Sequence, residues 1–228
     1  MFKSMKKNLL LTVFITFHLL GISQENKFEK PDYDLIQTEI QDSTSIFYYP
    51  KLLSRLNSFD TTLSIEEYKY LYYGYVFQKE YQPYRKSSHE AELLAYYRSQ
   101  NISESDYETV IQLATKAIEE FPFDLRPLKV LGYVYHLKGD EDMAQKTHNR
   151  FHGVIGAIMS SGDGKTCETG FHIISVSHEY VLLNMFQFQV KYQSLTGGCD
   201  YLRLERNKEK IKGLYFNIEK LFKKNQTF

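Results

Sequence analysis

The stretch that most constrains the fold is EEYKYLYYGYVFQKEYQPYR, residues 66–85, which holds seven tyrosines. Just before it, Ser64 and Glu67 have the spacing of a capping box, which predicts a helix that begins near Ile65. The apolar side chains of this helix form two stripes on nearly opposite faces: Tyr68, Leu71, Tyr72 and Tyr75, and then Tyr70, Tyr73 and Phe77. A helix that is apolar on two faces packs between two neighbours, and tyrosine suits such a position because its hydroxyl can still find a partner. The stretch therefore predicts a stack of helices.

The surrounding residues 32–160 also have the start and stop signals of helices. The stretch AIEEFPFDLRPLKVLGYVYHLKGDEDMAQ, within residues 104–156, resembles the tetratricopeptide repeat, whose period is about 34 residues. The residues that carry this resemblance are Ala117, Pro122, Leu128, Leu131, Gly132, Tyr135 and Ala144. About one and a half repeats cannot bury their own apolar faces. We therefore expect the tyrosine-rich helix to pack against them.

After Ile158 the helical period stops at SSGDGK, and apolar and polar side chains begin to alternate. Four stretches are predicted to be strands: FHIISVSHEY, FQFQVKY, CDYLRLER and KGLYFNI. The prediction is an α+β fold with two regions. Residues 24–160 form a tetratricopeptide-like helical region, and residues 161–228 form a small antiparallel β-meander packed on the helices.

The N-terminal residues have the pattern of a secretory signal peptide. Three lysines precede an uncharged run from Asn8 to Ile22, and polar residues follow Ser23. The run is too short to cross a bilayer core of about 30 Å comfortably as a helix. We therefore predict that residues 1–23 are removed and that the mature protein is periplasmic or secreted, with no transmembrane span.

The charge balance argues against nucleic acid as a partner. The chain carries 28 Lys and Arg against 28 Asp and Glu, and signal cleavage would remove three of the lysines. Binding to phosphate backbones requires clustered positive charge. SGDGKT lacks the first glycine of a phosphate-binding loop, and HEYVL lacks the second histidine of a zinc-protease helix. We therefore expect neither a cofactor nor a metal.

The two cysteines, Cys167 and Cys199, leave three possibilities open. An exported protein favours a disulfide between them. They could instead be two unpaired structural thiols. In the third possibility Cys199 is a nucleophile, which would need a nearby base such as His178.

Six short motifs are distributed along the chain. They are LYYGYVFQ, PYR at 83–85, SGDG at 161–164, SVSHEY at 175–180, CDYL at 199–202 and GLYFN at 213–217. Together they resemble a family of exported proteins from Bacteroides-like bacteria, domain of unknown function 4919. The resemblance spans nearly all of the mature chain and implies an envelope or secreted location without supplying an activity. It marks these residues for a shared role: Tyr72, Tyr73, Gly74, Tyr75, Gln78, Tyr84, Arg85, Asp163, His178, Glu179 and Asp200.

The hypothesis we favour is a non-catalytic binding or scaffold module. Its ligand contacts would be Tyr72, Tyr75, Gln78, Tyr84 and Arg85, on an aromatic surface of the helical stack. Helical repeats commonly form concave binding surfaces, and protein interfaces are enriched in tyrosine and arginine. The expected partner is a protein, peptide or glycan of the cell envelope.

The alternative is a small hydrolase that works where the helices meet the sheet. His178 would be its general base, oriented by Asp163 or Asp200, with Glu179 and Cys199 as further candidates for catalysis. This alternative requires a carboxylate or thiol within hydrogen-bond reach of the His178 ring.

Overall fold

The computed structural model describes residues 28–99 and 101–223. Seven helices come first in the chain: α1 (Tyr33–Gln41), α2 (Tyr49–Asn57), α3 (Ile65–Gly74), α4 (Glu90–Tyr97), α5 (Tyr107–Glu120), α6 (Leu125–Lys138) and α7 (Glu141–Met159). The remaining elements are β1 (Phe171–His172), α8 (Ser177–Met185), β2 (Val190–Thr196), β3 (Cys199–Leu204), β4 (Gly213–Asn217) and α9 (Glu219–Lys223). The predicted signal peptide lies outside the described residues.

Helix α3 carries most of the tyrosine cluster and begins where the sequence predicts. The Ser64 hydroxyl accepts a hydrogen bond from the Glu67 amide, and the Glu67 carboxylate accepts one from the Ser64 amide. The capping box is therefore confirmed. Every residue of α3 from Tyr68 to Gly74 is buried, which agrees with a helix that is apolar on two faces.

The neighbours of α3 lie on both sides of it. On one side Gly74 packs against Ile40 of α1 and Tyr49 of α2. On the other side α7 approaches so closely that a Cβ atom at Gly153 would lie 2.2 Å from the Tyr68 ring. The prediction that α3 is packed between neighbouring helices is confirmed. The tetratricopeptide resemblance of α5 to α7 stays a prediction.

The sheet differs from the predicted antiparallel meander. Its four strands have the order β1-β4-β3-β2. The β2–β3 and β3–β4 pairs are antiparallel, whereas β1 pairs with β4 in parallel, with Phe171 opposite Phe216. The sheet is therefore mixed. The α+β class holds, but the meander is wrong because β1 reaches β4 by a long crossover that contains α8, β2 and β3.

The stretch FHIISVSHEY is the largest secondary-structure error. Only Phe171 and His172 are in a strand, and Ser177 begins helix α8. Residues 171–175 are all buried, so apolar and polar side chains do not point to opposite environments there. The segment is enclosed because tyrosines from the N-terminal helices hydrogen-bond to its main chain.

Three tyrosine hydroxyls form these bonds. The Tyr73 hydroxyl donates to the carbonyl of Ala157 at 3.0 Å and lies 3.3 Å from that of His172. The Tyr81 hydroxyl donates to the carbonyl of Ile174 at 3.0 Å. The Tyr72 hydroxyl accepts from the Ile174 amide at 3.2 Å. The tyrosine cluster therefore joins the helical stack to the segment that follows β1, and one hydrophobic core extends from α1 to the sheet and α9.

Candidate functional site

A groove that brings together three of the candidate residues, Tyr84, Arg85 and Asp200, lies where the helices meet the sheet. It has a volume of about 910 Å³. Its walls come from the loop at 83–86, the first turn of α8, strands β2 and β3, and helix α9. The lining includes Tyr84, Arg85, Lys86, Arg126, Ser175, Ser177, Tyr180, Gln193, Leu195, Asp200 and Phe222.

Aromatic and aliphatic side chains give the groove an apolar surface. Tyr84 is 54% exposed, Tyr180 42% and Phe222 37%. Leu195, on strand β2, is 66% exposed. Exposed rings with hydroxyl groups are typical of surfaces that bind peptides and proteins, because they combine contact area with hydrogen bonding. The groove therefore has the composition of a binding surface.

The three cations in the groove differ in the salt bridges that they form among the described residues. Arg126 is paired with Glu90 at 2.6 Å and lies 3.7 Å from Asp124. By contrast, neither Arg85 nor Lys86 forms a salt bridge within the described part of the chain. A planar guanidinium without a partner is well suited to bind a carboxylate. This end of the groove therefore favours an anionic group.

The opposite wall holds a chain of hydrogen bonds that ends on a carboxylate. The Tyr180 hydroxyl donates to the Gln193 side-chain oxygen at 2.8 Å. The Gln193 amide nitrogen then donates to Oδ2 of Asp200. Asp200 is only 3% exposed, and its Oδ1 has no hydrogen-bond partner among the described residues.

Glu179 lies behind Asp200 and is fully buried. Burial, and then the negative charge of Asp200, together raise the pKa of Glu179 to about 9. Burial also raises the pKa of Asp200, against the hydrogen bond from Gln193 and the nearby carboxyl group of Glu179, which lower it. Burial therefore favours the protonated form of Glu179 beside Asp200.

His178 is enclosed rather than exposed to the groove. Its Nε2 lies 3.0 Å from the Phe123 carbonyl, which can only accept, so Nε2 carries the proton. Its Nδ1 then accepts a hydrogen bond from the Tyr72 hydroxyl at 2.7 Å. Burial is the main reason that the pKa of His178 is lowered to about 3. The ring is neutral, its tautomer is defined, and both of its nitrogens are occupied.

This geometry corrects the expected partners of His178. Among the described residues its hydrogen-bond partners are Tyr72 and Phe123, not Asp163 or Asp200. Asp163 instead stabilises the turn after α7, where it accepts from the Thr169 hydroxyl at 2.7 Å. Whether the protein hydrolyses a substrate stays untested, but His178 as found here has no unoccupied nitrogen to accept a proton.

Cys199 is not available as a nucleophile. A disulfide joins it to Cys167, with the two Cα atoms 5.7 Å apart. The catalytic possibility for Cys199 is therefore wrong for this structure, since an oxidised sulfur carries no thiolate. The disulfide instead fixes the loop after α7 to the turn between β2 and β3.

The five predicted ligand contacts divide into two groups. Tyr72 and Tyr75 are 0% and 4% exposed and belong to the core, which corrects their assignment to an exposed surface. Gln78 is half-buried, and its amide nitrogen donates to the Gly74 carbonyl at 3.2 Å. Tyr84 and Arg85 line the groove. Their role in binding a ligand stays a prediction.

Sequence reasoning missed four groove residues that come from separate elements: Arg126, Tyr180, Gln193 and Phe222. Tyr180 lay within the SVSHEY motif, so that motif was the one available signal.

Among residues 28–99 and 101–223 there is no group of three or more His, Cys, Asp or Glu residues placed to hold a metal ion. In the same residues no helix has both the length and the hydropathy needed to cross a bilayer.

Comparison with known proteins gives one match. A family model described as "Domain of unknown function (DUF4919)" matches residues 34–227. Neither a curated protein nor a solved structure matches the chain.

Proposed function

Because this chain belongs to the DUF4919 family, whose description assigns no activity, we propose a function from the groove itself. The protein is a non-catalytic binding module that holds an extended peptide segment of an exported or envelope protein. The observation that carries the proposal is the Arg85 guanidinium beside the exposed ring of Tyr84, in one groove of about 910 Å³. Among residues 28–99 and 101–223 this guanidinium forms no salt bridge. An aromatic surface next to an unpaired cation suits a segment with an apolar side chain and a carboxylate.

Strand β2 supports a peptide over a glycan. Within the described residues it is an edge strand that pairs only with β3, and residues 191–196 are all exposed. Three of its residues, Gln193, Ser194 and Leu195, line the groove. An exposed edge can accept an extended peptide as an added strand, through main-chain hydrogen bonds. The chain also has no tryptophan, the side chain best suited to stack on sugars.

Export is a second part of the proposal. The N-terminal pattern supports cleavage after Ser23, and the Cys167–Cys199 disulfide suits an oxidising compartment. N-terminal sequencing of the protein recovered from the periplasm or the medium of an expressing bacterium would test this. We expect Gln24 as the first residue, and recovery of the uncleaved chain from the cytoplasm would contradict export.

Selection from a displayed random-peptide library tests the binding proposal. The wild-type protein is the bait, and the double variant Tyr84→Ala, Arg85→Ala is the matched control, because both side chains lie at the surface rather than in the core. We expect peptides that bind the wild type and bind the double variant at least about tenfold more weakly, with unchanged thermal stability. If no peptide is enriched, or if both proteins bind equally, the proposal is wrong.

A further inference from the structure

We infer that Asp200, which lines the groove in front of the buried Glu179, forms a subsite for a primary ammonium group, so that the ligand is zwitterionic. This inference rests on the proposed binding function and adds the chemistry of the ligand. Three observations support it: the carboxyl oxygens that lack hydrogen-bond donors, the position of Gln193, and the opposite charges at the two ends of the groove.

The carboxyl pair has more acceptors than donors. Oδ1 of Asp200 and both oxygens of Glu179 are buried, and none has a hydrogen bond of standard geometry among the described residues. Even if Asp200 and Glu179 share one proton, some of their oxygen atoms have no hydrogen-bond donor. Buried polar atoms are rarely left in this state, and when they are, an absent ligand or water is a common reason. An ammonium group would supply three donors and one positive charge.

Gln193 shows where such a donor would enter. It is an exposed residue of the edge strand β2, yet its amide nitrogen turns inward and donates to Oδ2 of Asp200. Asp200 itself lines the groove. Because Gln193 is exposed, its side chain can turn toward solvent, where water replaces its hydrogen bonds with Tyr180 and Asp200. In our proposal the ligand ammonium takes the place of the Gln193 amide on Asp200.

The remaining charges of the groove explain why a cation alone is not the expected ligand. Arg85, Lys86 and Arg126 line the same groove as Asp200, so an ammonium group would meet positive charge as well. A ligand that also carries a carboxylate would place it against Arg85 and Lys86, which form no salt bridge within the described part of the chain. The groove therefore suits a molecule with opposite charges at its two ends, such as a lysine-bearing peptide or its terminus.

Three small probes separate the two charged groups of the ligand. Nα-acetyl-L-lysine carries both the ammonium and the carboxylate. Nα-acetyl-L-norleucine keeps the carboxylate and a similar chain without the ammonium. Nα-acetyl-L-lysine methylamide keeps the ammonium and blocks the carboxylate. Binding of each to the full mature chain would be measured by NMR chemical-shift titration at neutral pH.

We expect the wild type to bind Nα-acetyl-L-lysine at least about tenfold more tightly than Nα-acetyl-L-norleucine. The norleucine derivative lacks the ammonium group and so loses the charged hydrogen bond to Asp200. Asp200→Asn should abolish that preference while binding of Nα-acetyl-L-norleucine persists. Glu179→Gln, a near-isosteric change that guards against misfolding of the first variant, should reduce the preference as well. Gln193→Ala should keep the preference.

The outcomes distinguish this inference from the proposed function. If the wild type binds both acetylated amino acids equally, or binds neither at millimolar concentration, the ammonium subsite is wrong. The peptide-library selection decides separately whether the groove binds peptides at all. If Asp200→Asn and Glu179→Gln both still bind Nα-acetyl-L-lysine more tightly than Nα-acetyl-L-norleucine, the ammonium group binds elsewhere. That result would also overturn the inference.

Discussion

The Tyr72 hydroxyl donates a 2.7 Å hydrogen bond to Nδ1 of His178, a residue 106 positions later in the chain. The same hydroxyl accepts from the Ile174 amide, and Nε2 of His178 donates to the Phe123 carbonyl. This chain of bonds connects α3, the segment after β1, helix α8 and the turn before α6. It indicates that the tyrosine cluster and His178 stabilise the junction between the helices and the sheet.

Removal of the Tyr72 hydroxyl tests that role. Tyr72→Phe keeps the ring but leaves the Ile174 amide and Nδ1 of His178 without partners in the core. Each unsatisfied buried group costs about 1–3 kcal/mol, so we expect the free energy of unfolding to fall by about 3 kcal/mol. Urea denaturation would measure it. Tyr192→Phe, on the 53% exposed ring of β2, is the control and should change stability by less than about 0.5 kcal/mol. Equal effects would contradict the account.

His178 should make stability depend on pH in a defined direction. Its pKa is about 3 in the folded protein and about 6.5 in an unfolded chain, so between these values the unfolded state binds more protons. Protonation therefore favours unfolding, and the His178 contribution is complete above pH 6.5 and is lost as the pH falls toward 3. The slope for one proton is at most about 1.4 kcal/mol per pH unit.

The comparison of variants isolates this contribution from those of other groups. Urea unfolding between pH 4 and 7 should show a smaller pH dependence for His178→Gln than for the wild type. His136→Gln, in which an exposed histidine on the surface of α6 is replaced, should retain the wild-type slope. An unchanged slope in His178→Gln would show that its ring is not held neutral by burial.

The contact between α3 and α7 can be tested with a pair of glycines. A Cβ atom at Gly153 would lie 2.2 Å from the Tyr68 ring, so Gly153→Ala must displace a buried ring or a helix. We expect it to lower the stability by about 1–3 kcal/mol. At Gly132 the nearest atom would be 3.5 Å away, and alanine is about 1 kcal/mol better than glycine in a helix. Gly132→Ala should therefore be neutral or stabilising. Thermal denaturation that shows the reverse order would contradict the packing described here.

The disulfide should contribute to stability through the loop that it closes. Cys167 and Cys199 are separated by 32 positions, and a loop of this length corresponds to about 3–4 kcal/mol in the chain-entropy model. Urea denaturation with and without a reducing agent would measure the difference. The double variant Cys167→Ala, Cys199→Ala should have the stability of the reduced wild type and should not respond to the reductant. A wild type that is insensitive to reduction would contradict this contribution.

Local patterns predicted the parts of the fold that depend on local interactions. The Ser64–Glu67 capping box lies within four residues, so its spacing was sufficient to place the start of α3. Strands β3 and β4 follow the alternation seen in CDYLRL and GLYFN. By contrast, β1 exists only because Phe171 pairs with Phe216, far along the chain. No local pattern contains such a pairing, and the alternation along FHIISVSHEY was consistent with a longer strand.

The residues of the site divide in the same way, into those that a local sequence pattern predicts and those that depend on contacts between distant parts of the chain. Tyr84 and Arg85 were identified from the PYR motif and from the enrichment of tyrosine and arginine at protein interfaces, and both line the groove. The pairing of Glu179 with Asp200 depends on α8 packing against β3, which sequence spacing does not reveal. Tyr72 and Tyr75 were assigned to an exposed surface because the helical period gives the direction of a side chain but not which face is covered. Here both faces of α3 are covered.

The most direct test of the account is the dissociation constant of one library-selected peptide for the wild type and two variants. We predict that Tyr84→Ala, Arg85→Ala weakens binding at least about tenfold without loss of stability. We predict that Tyr72→Phe lowers stability but retains the wild-type dissociation constant at a temperature where it is folded. Loss of binding in folded Tyr72→Phe, together with full binding by the double variant, would show that the tyrosine cluster and not the groove is the binding site.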